Sequence, residues 1–292
     1  MRILVTGSSG FVGAHVVRAL KTQGHEVRGI DRASPSRSER VDLADGRALA
    51  AFVRRFDPDS VLHLAALASV PQCEAQPVEC IRTNILGTIH VARAAGERSA
   101  RLVFASSAAV YGDRAPLPTP VTCPPRPGNL YGISKLAGEH VCREYDADSA
   151  VLRFFNIYGE GCSRSYVIPD LIRRLANHPR ILRVAGTGNV ARDFVYISDA
   201  LGAIERSLRG TFRGTYNVGS GVRTRLRSLT REIARRMGQE AIPVQFTGAR
   251  PGDFRANHAD LTRKNRVPGW MPRVTLAAGL DRMIPRDEHR GA

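Results

Sequence analysis

The sequence contains no run of roughly 18 apolar residues, so no membrane-spanning helix is expected. Its opening, Met-Arg-Ile-Leu-Val-Thr-Gly, lacks the charged region, long apolar stretch and small-residue cleavage site of a signal peptide, and a cytoplasmic location is expected. Cysteine is sparse: the five, at 73, 80, 123, 142 and 162, are odd in number and show no C-x-x-C spacing. That argues against a disulfide framework and a zinc cluster, and five reduced, unpaired thiols are expected. The eight histidines show no H-E-x-x-H spacing, so no metal site is expected either. Lysine is nearly missing: forty of the 43 basic residues are arginine, and lysine stands only at 21, 135 and 264. A formal charge of +16 would suit a polyanionic partner, but the arginines are spread along the whole chain. Aromatic residues make up only 6% and form no stripe interleaved with basic side chains, so no nucleic-acid partner is expected. An anionic small ligand would still benefit from the positive field.

What is present suits one large α/β domain, or a main domain with a smaller one attached, in a chain of 292 residues. Strand-like segments at 2–6, 27–31, 60–64, 102–106 and 151–156 alternate with helix-like segments at 11–21, 47–56, 84–95 and 131–145. Such alternation implies βαβ units and a parallel sheet covered on both faces, and the continuous apolar strands fit burial on two sides. The proline-rich segment 115–127 reads as an irregular surface loop. Beyond about residue 157 glycine and proline punctuate a looser rhythm, which suits a smaller domain mounted over the ends of the sheet.

The first strand runs directly into T-G-S-S-G-F-V-G, with glycines at 7, 10 and 13 and a helix after them. Gly7 permits a tight turn, Gly10 lets the backbone approach a pyrophosphate, and Gly13 lets helix and strand pack closely. The N–H groups that open the helix, at Phe11 and Val12, then face the phosphates. Two residues separate the first pair of glycines where the commonest fingerprint has one, but the strand–turn–helix context is the required one. Asp31 ends the second strand, 24 residues after Gly7. A carboxylate there accepts from a ribose 2′-hydroxyl and repels a 2′-phosphate, which favours NAD over NADP; the adjacent Arg32 pulls the other way. Asp42 and Leu43 are candidates for the adenine side, and the backbone of Leu64, Ala65 and Ala66 for close approach to the cofactor. His63 reads as a core or supporting residue. These features predict a Rossmann-type doubly wound parallel sheet over 1–157 with a returning segment at about 190–217. A smaller C-terminal α/β substrate domain is expected from 158–189 and 218–292.

Tyr131 and Lys135 stand four residues apart in Y-G-I-S-K and would share one face of a helix. Phenols ordinarily titrate near ~10 and ammonium groups near ~10.4. A cation beside the phenol favours phenolate, which is one way to make a base. With T-G-S-S-G-F-V-G, Asp31, S-S-A-A-V-Y-G (106–112) and Y-G-I-S-K, the chain resembles the extended short-chain dehydrogenase/reductases, in their NAD-dependent sugar-nucleotide epimerase/dehydratase branch. The resemblance continues through R-F-F-N-I-Y-G (153–159), R-D-F-V-Y-I-S-D-A (192–200), T-Y-N-V-G-S-G (215–221) and R-P-G-D (250–253), covering nearly the whole chain.

The resemblance implies NAD as cofactor and a nucleotide-diphosphate sugar, a UDP-sugar foremost, as substrate. Ser107 matches the hydroxyl that hydrogen-bonds the reacting sugar hydroxyl, Tyr131 the catalytic base, and Lys135 the lysine that holds the nicotinamide ribose and lowers the tyrosine pKa. Asn84, Ser106 and Phe155 match cofactor-side positions. Asn156, Arg192 and Arg250 match groups near the nucleotide diphosphate, and Asp253 a contact to the nucleoside ribose. Departures from the pattern narrow the chemistry. Dehydratases keep an Asp-Glu pair, and sugar decarboxylases an acid, where this chain has Ala108 and Ala109. No cysteine or equivalent acid for inversion at C3 and C5 is in place. Pro120 stands where relatives have Glu, Asn257 where UDP-galactose enzymes have Tyr, and Tyr166 where they have Asn. Reversible inversion at C4 through a 4-keto sugar is therefore expected, with net 4-ketoreduction and a non-catalytic dinucleotide binder as alternatives. The resemblance also implies a homodimer built on segments 84–97 and 130–146, through Ile85, Ile89, Ala92, Ala137 and Val141.

Overall fold

Short apolar runs become strands β1 (Arg2–Thr6), β3 (Ser60–His63), β4 (Arg101–Ser107) and β5 (Ala150–Phe154), buried on both faces, while β2 (Glu26–Ile30) leaves Glu26 and Arg28 exposed. The chain continues through β6 (Asn156–Tyr158), β7 (Leu182–Val184) and β8 (Ala191–Tyr196) before β9 (Gly214–Val218). The computed structural model, which describes residues 1–145, 148–248 and 256–284, joins six of these strands in the order β2-β1-β3-β4-β5-β9, every neighbouring pair parallel.

Alternate residues of each strand feed opposite cores. Ile3, Val5 and Leu62 point to one face, where α1 (Phe11–Thr22) brings Val16 and Leu20. Leu4, Val61 and Leu102 point to the other, covered by α2 (Gly46–Phe56). The two very short helices α3 (Val70–Ala75) and α4 (Pro77–Ile81) lead to α5 (Gly87–Gly96) and then α6 (Leu130–Tyr145), which complete that second face. After α7 (Val167–Ala176), α8 (Ile197–Arg209) returns to the first face with Ala200, Ala203 and Ile204. Each fully buried Leu, Ile or Val contributes about 1.5–3 kcal/mol. The strand order reverses between β1 and β3, and at such a switch point the carboxyl ends of the strands open a ligand crevice.

Two smaller sheets stand beyond those ends. One has the order β10-β8-β6, with β10 at Arg223–Arg225, and the other pairs β7 with β11 (Val244–Phe246). Leu171 and Leu175 of α7 pack there with Leu229 and Ile233 of α9 (Leu226–Arg236) and Leu280 of α10 (Leu276–Met283).

The structure refines the sequence expectations at four places. The strand expected at 151–156 is two strands: β5 ends at Phe154, and Asn156 opens β6, which pairs with β8. Phe155 is the step between sheets, its N–H donating to the Val218 carbonyl at 2.9 Å. The returning segment joins the large sheet only at β9, because β8 pairs with β6 and β10. The helix expected from 84 is preceded by a π-turn at Arg82–Leu86, whose wider winding turns Asn84 inward. The proline-rich segment is the irregular, largely surface loop expected, with Leu117 38% exposed, but it is anchored at its centre. Thr119 is buried, its N–H donates to the His258 carbonyl at 2.7 Å, and its carbonyl accepts from Asn217 Nδ2 at 2.8 Å. The Val121 N–H donates to Asn265 Oδ1 at 3.1 Å, which ties the loop down next to Pro120. Among the described residues, no helix is long and apolar enough to cross a membrane.

Candidate active site

The crevice at the switch point is shaped by glycine. Gly7 has φ +72°, and a Cβ there would lie 2.7 Å from the Ala65 nitrogen, so the turn after β1 touches the backbone after β3. A Cβ on Gly13 would lie 2.1 Å from the Gly7 carbonyl oxygen, which is the close helix–strand packing that the spacing predicts. The start of α1 at Phe11 and Val12 has no side-chain cap and no acidic residue in its first turn. Its first N–H groups have no partner within the helix, and with the helix dipole behind them they form a site that favours an anion. Asp31 follows β2 at the rim of this crevice, its Oδ2 accepting from the Ser9 N–H at 3.1 Å and its Oδ1 from the Ala33 N–H at 2.9 Å.

Other residues expected on the cofactor side brace the crevice from behind. Leu43 is buried in the core, and its carbonyl accepts from His90 Nδ1 at 2.7 Å. Asp42 accepts from the Ala44 N–H and pairs with Arg82 at 2.8 Å. Asn84 is buried; its Oδ1 accepts from the Leu67 N–H at 2.8 Å and its Nδ2 donates to Ser134 Oγ at 3.0 Å. Ser106 donates to Glu139 at 2.6 Å, and Phe155 packs among Ala108, Val110 and Tyr111.

Ser107, Tyr131 and Lys135 come together at the carboxyl end of β4 and the first turns of α6. Ser107 caps the 3₁₀ turn Ala108–Tyr111, its Oγ accepting from the Ala109 N–H at 3.2 Å, and its side chain faces the Tyr131 phenol. Burial pushes the Tyr131 phenol well above its ordinary range, Ser107 draws it down, and Tyr166, Cys73 and Cys80 add to the rise. That direction is opposite to the lowering expected from the Tyr-Lys spacing. Lys135 is itself buried and held down to about 8, first by burial. Its Nζ donates to the Ala105 carbonyl at 2.8 Å and stands 5.1 Å from the centre of the Phe104 ring. On the opposite wall, Asn156 Nδ2 donates to the Asp193 carbonyl at 2.9 Å and to Asn257 Oδ1 at 3.3 Å. Asn257 thus orients Asn156. Arg192 is half-buried, with Nη1 donating to the Ala191 carbonyl at 3.0 Å, and Tyr166 is 42% exposed with its hydroxyl 3.4 Å from the Ala68 carbonyl. Arg250 and Asp253 lie outside the described residues.

A family model for the NAD dependent epimerase/dehydratase family matches residues 3–219. The chain belongs to this family. It is 32% identical to a UDP-glucose 4-epimerase of Mycolicibacterium smegmatis, with 97% of each chain covered. It is 31% identical to a GDP-6-deoxy-D-mannose reductase of Pseudomonas aeruginosa, covering 99% of this chain and 98% of that one. Among solved structures, the UDP-glucose 4-epimerase of Thermus thermophilus in complex with NAD superposes with a TM-score of 0.85 at 30% identity, over 97% of this chain and 98% of that one. The family is NAD-dependent, and the crevice fits that cofactor: an uncapped helix start for the pyrophosphate, backbone that only glycine allows to come so close, and a carboxylate at the ribose position.

Within this family frame, sequence reasoning missed a layer of buried polar residues. His63 is fully buried between two threonines, with Thr6 Oγ1 2.7 Å from Nδ1 and Thr88 Oγ1 2.9 Å from Nε2. The Thr88 hydroxyl donates to the Asn84 carbonyl at 2.6 Å, so it accepts from Nε2–H. Thr6 accepts from the Ala65 N–H and donates to Nδ1. A neutral ring thus links the crevice backbone to the π-turn. Asp193 is buried and accepts from the Ser220 N–H and Oγ, both at 2.6 Å, and from the N–H groups of Gly221 and Ala259 at 3.0 Å. All five cysteines are free thiols, but Cys73 and Cys80, whose spacing suggests no pairing, meet with Sγ atoms 2.6 Å apart beneath Leu130 and Tyr131. Sequence carries no periodic signal for such pairs, because each partner comes from a different element.

Proposed function

We propose that the chain inverts C4 of a nucleotide-activated sugar, a UDP-sugar foremost, through a transient 4-keto sugar. The observation that carries this reading is the meeting of Ser107, at the end of β4, with Tyr131 on α6, one helical turn before Lys135 and flanked by the methyl groups of Ala108 and Ala109. Elimination of water needs an acid and a base at that flank, and the two alanines supply neither. Bound NAD supplies the oxidising and reducing equivalents at C4. Ser107 orients the O4 hydroxyl, and Tyr131 as phenolate takes its proton and later returns it. Lowering a phenol by ~3 pKa units takes about 4 kcal/mol of differential stabilisation. Burial acts against this, so the positive charges of the filled site, that of Lys135 among them, must outweigh it. Asn156, Tyr166, Arg192, Arg250 and Asp253 are assigned to the nucleotide diphosphate and its nucleoside, with UDP the first candidate from the epimerase relatives. Residues 1–157 and the segment returning at about 190–217 serve the cofactor, and the remainder serves the sugar nucleotide. A homodimer is assigned to the face that carries Val78, Ile81, Leu86 and Ile133, large apolar side chains at 39–78% exposure.

The Tyr131→Phe enzyme is expected to lose about 10²–10⁴ in kcat with KM little changed, since a proton-transfer group is removed and binding groups remain. Unchanged turnover would refute the assignment. The reductase relative favours a second reading, net 4-ketoreduction with the same three residues. Dinucleotide that stays with the purified protein, with turnover needing no added NAD(P)H, separates the first reading from the second.

A further inference from the structure

Asp31 opposes a 2′-phosphate by charge, whereas an arginine beside it, as Arg32 is, commonly accommodates one. The fold gives Arg32 another partner. Its Nη1 lies 2.5 Å from Oε1 of Glu79, 47 residues along the chain on α4. The same oxygen accepts from Thr83 Oγ1 at 3.2 Å, and the other carboxylate oxygen lies 3.5 Å from Arg82 Nη1. Arg82 in turn pairs with Asp42 at 2.8 Å. Along the adenosine edge of the crevice, charges alternate as Arg32, Glu79, Arg82 and Asp42. Glu79 is the better-fixed member of its pair, with 26% of its side chain exposed against 57% for Arg32.

We propose that Glu79 is a cofactor-specificity residue, which by engaging Arg32 withholds from NADP the guanidinium its 2′-phosphate would use. Two carboxylates then share the discrimination. Asp31 repels the phosphate directly, and Glu79 removes the cation that would offset that repulsion. A phosphate that recruited Arg32 would have to break the 2.5 Å pair and leave Glu79 facing like charge. Such an arrangement is invisible to a motif search, which sees Asp31 and Arg32 side by side and cannot weigh one against the other. The inference rests on the dinucleotide crevice and not on the reaction at C4.

The test is fluorescence titration of the whole chain, freed of bound nucleotide, with NADH and with NADPH. The wild-type chain is expected to bind NADH more tightly. Glu79→Gln keeps the shape and loses the charge. It is expected to tighten NADPH about fivefold, the upper end of what an exposed ion pair is worth, while leaving NADH nearly unchanged. Adding Arg32→Ala to Glu79→Gln is expected to abolish that gain. If Glu79→Gln leaves NADPH affinity where it was, Arg32 is not being withheld and the proposal fails. If the gain survives in the double variant, it comes from the lost negative charge alone and the proposal fails equally. No sugar is present in either titration, so failure of the C4 reading would leave this result standing.

Discussion

At the scale of single residues, His63 separates what a buried polar group does from what it resembles. Burial, helped by the charge of Lys135, holds its ring at about 3 against an ordinary 6.5. Below pH 6.5 the unfolded chain therefore takes up a proton that the native ring refuses, and stability falls as the pH drops from 6.5 toward 3. At pH 5 this one group is expected to cost about 2 kcal/mol relative to pH 7, read as a lower urea midpoint. A His63→Gln chain should lose that increment of pH dependence; an unchanged slope would show that the ring titrates normally in the native state. The glycines, Asp31, Ser107, Tyr131 and Lys135 were legible in sequence because each sits in a short ordered motif. The Thr6–His63–Thr88 relay and the Arg32–Glu79 pair were not, because no local spacing records which side chains meet across the crevice.

Among elements, the deepest tie is between α6, β4 and β5. Arg153 of β5 donates to both oxygens of Glu139 on α6, at 2.8 and 2.7 Å, with both residues buried, while Ser106 of β4 donates to the same carboxylate at 2.6 Å. Arg153 also stands 4.7 Å from the centre of the Tyr111 ring, whose hydroxyl donates to Asn217 at 2.6 Å. Glu139 is one helical turn beyond Lys135, so this pair sets where α6 rests on β4 and β5. Glu139→Ala leaves a buried guanidinium unpaired and is expected to destabilise the chain by about 3–5 kcal/mol in urea unfolding. Replacing both partners, as Glu139→Leu with Arg153→Met, is expected to cost much less, and equal costs would contradict the account. The large sheet was readable because its strands are apolar runs between helix-period segments. The step at Phe155 was not, because V-L-R-F-F-N-I-Y is one unbroken strand-like run and only pairing partners divide it. Likewise the π-turn before α5 looks in sequence like the start of an ordinary helix.

For the whole molecule, the helices that cover the second sheet face leave Val78, Ile81, Leu86 and Ile133 open on one side. Of the residues expected at a dimer seam, Ala92 is instead buried in the core, whereas Ile85, Ile89 and Ala137 are half-buried. Light scattering is expected to give twice the 31.9 kDa chain mass, and Ile81→Asp with Ile133→Asp is expected to give the monomer. A wild-type monomer would remove that face from consideration as an interface. The proposal that an anionic sugar nucleotide is turned over beside Tyr131 draws on the positive charge, the family membership and the crevice at the switch point. The most direct test is to give the purified chain UDP-galactose deuterated at C4, without added cofactor, and follow it by NMR. The account predicts UDP-glucose that keeps its deuterium at C4, at a ratio also reached from UDP-glucose. No inversion with this or any other nucleotide sugar, or product formed only as added NAD(P)H is consumed, would contradict it.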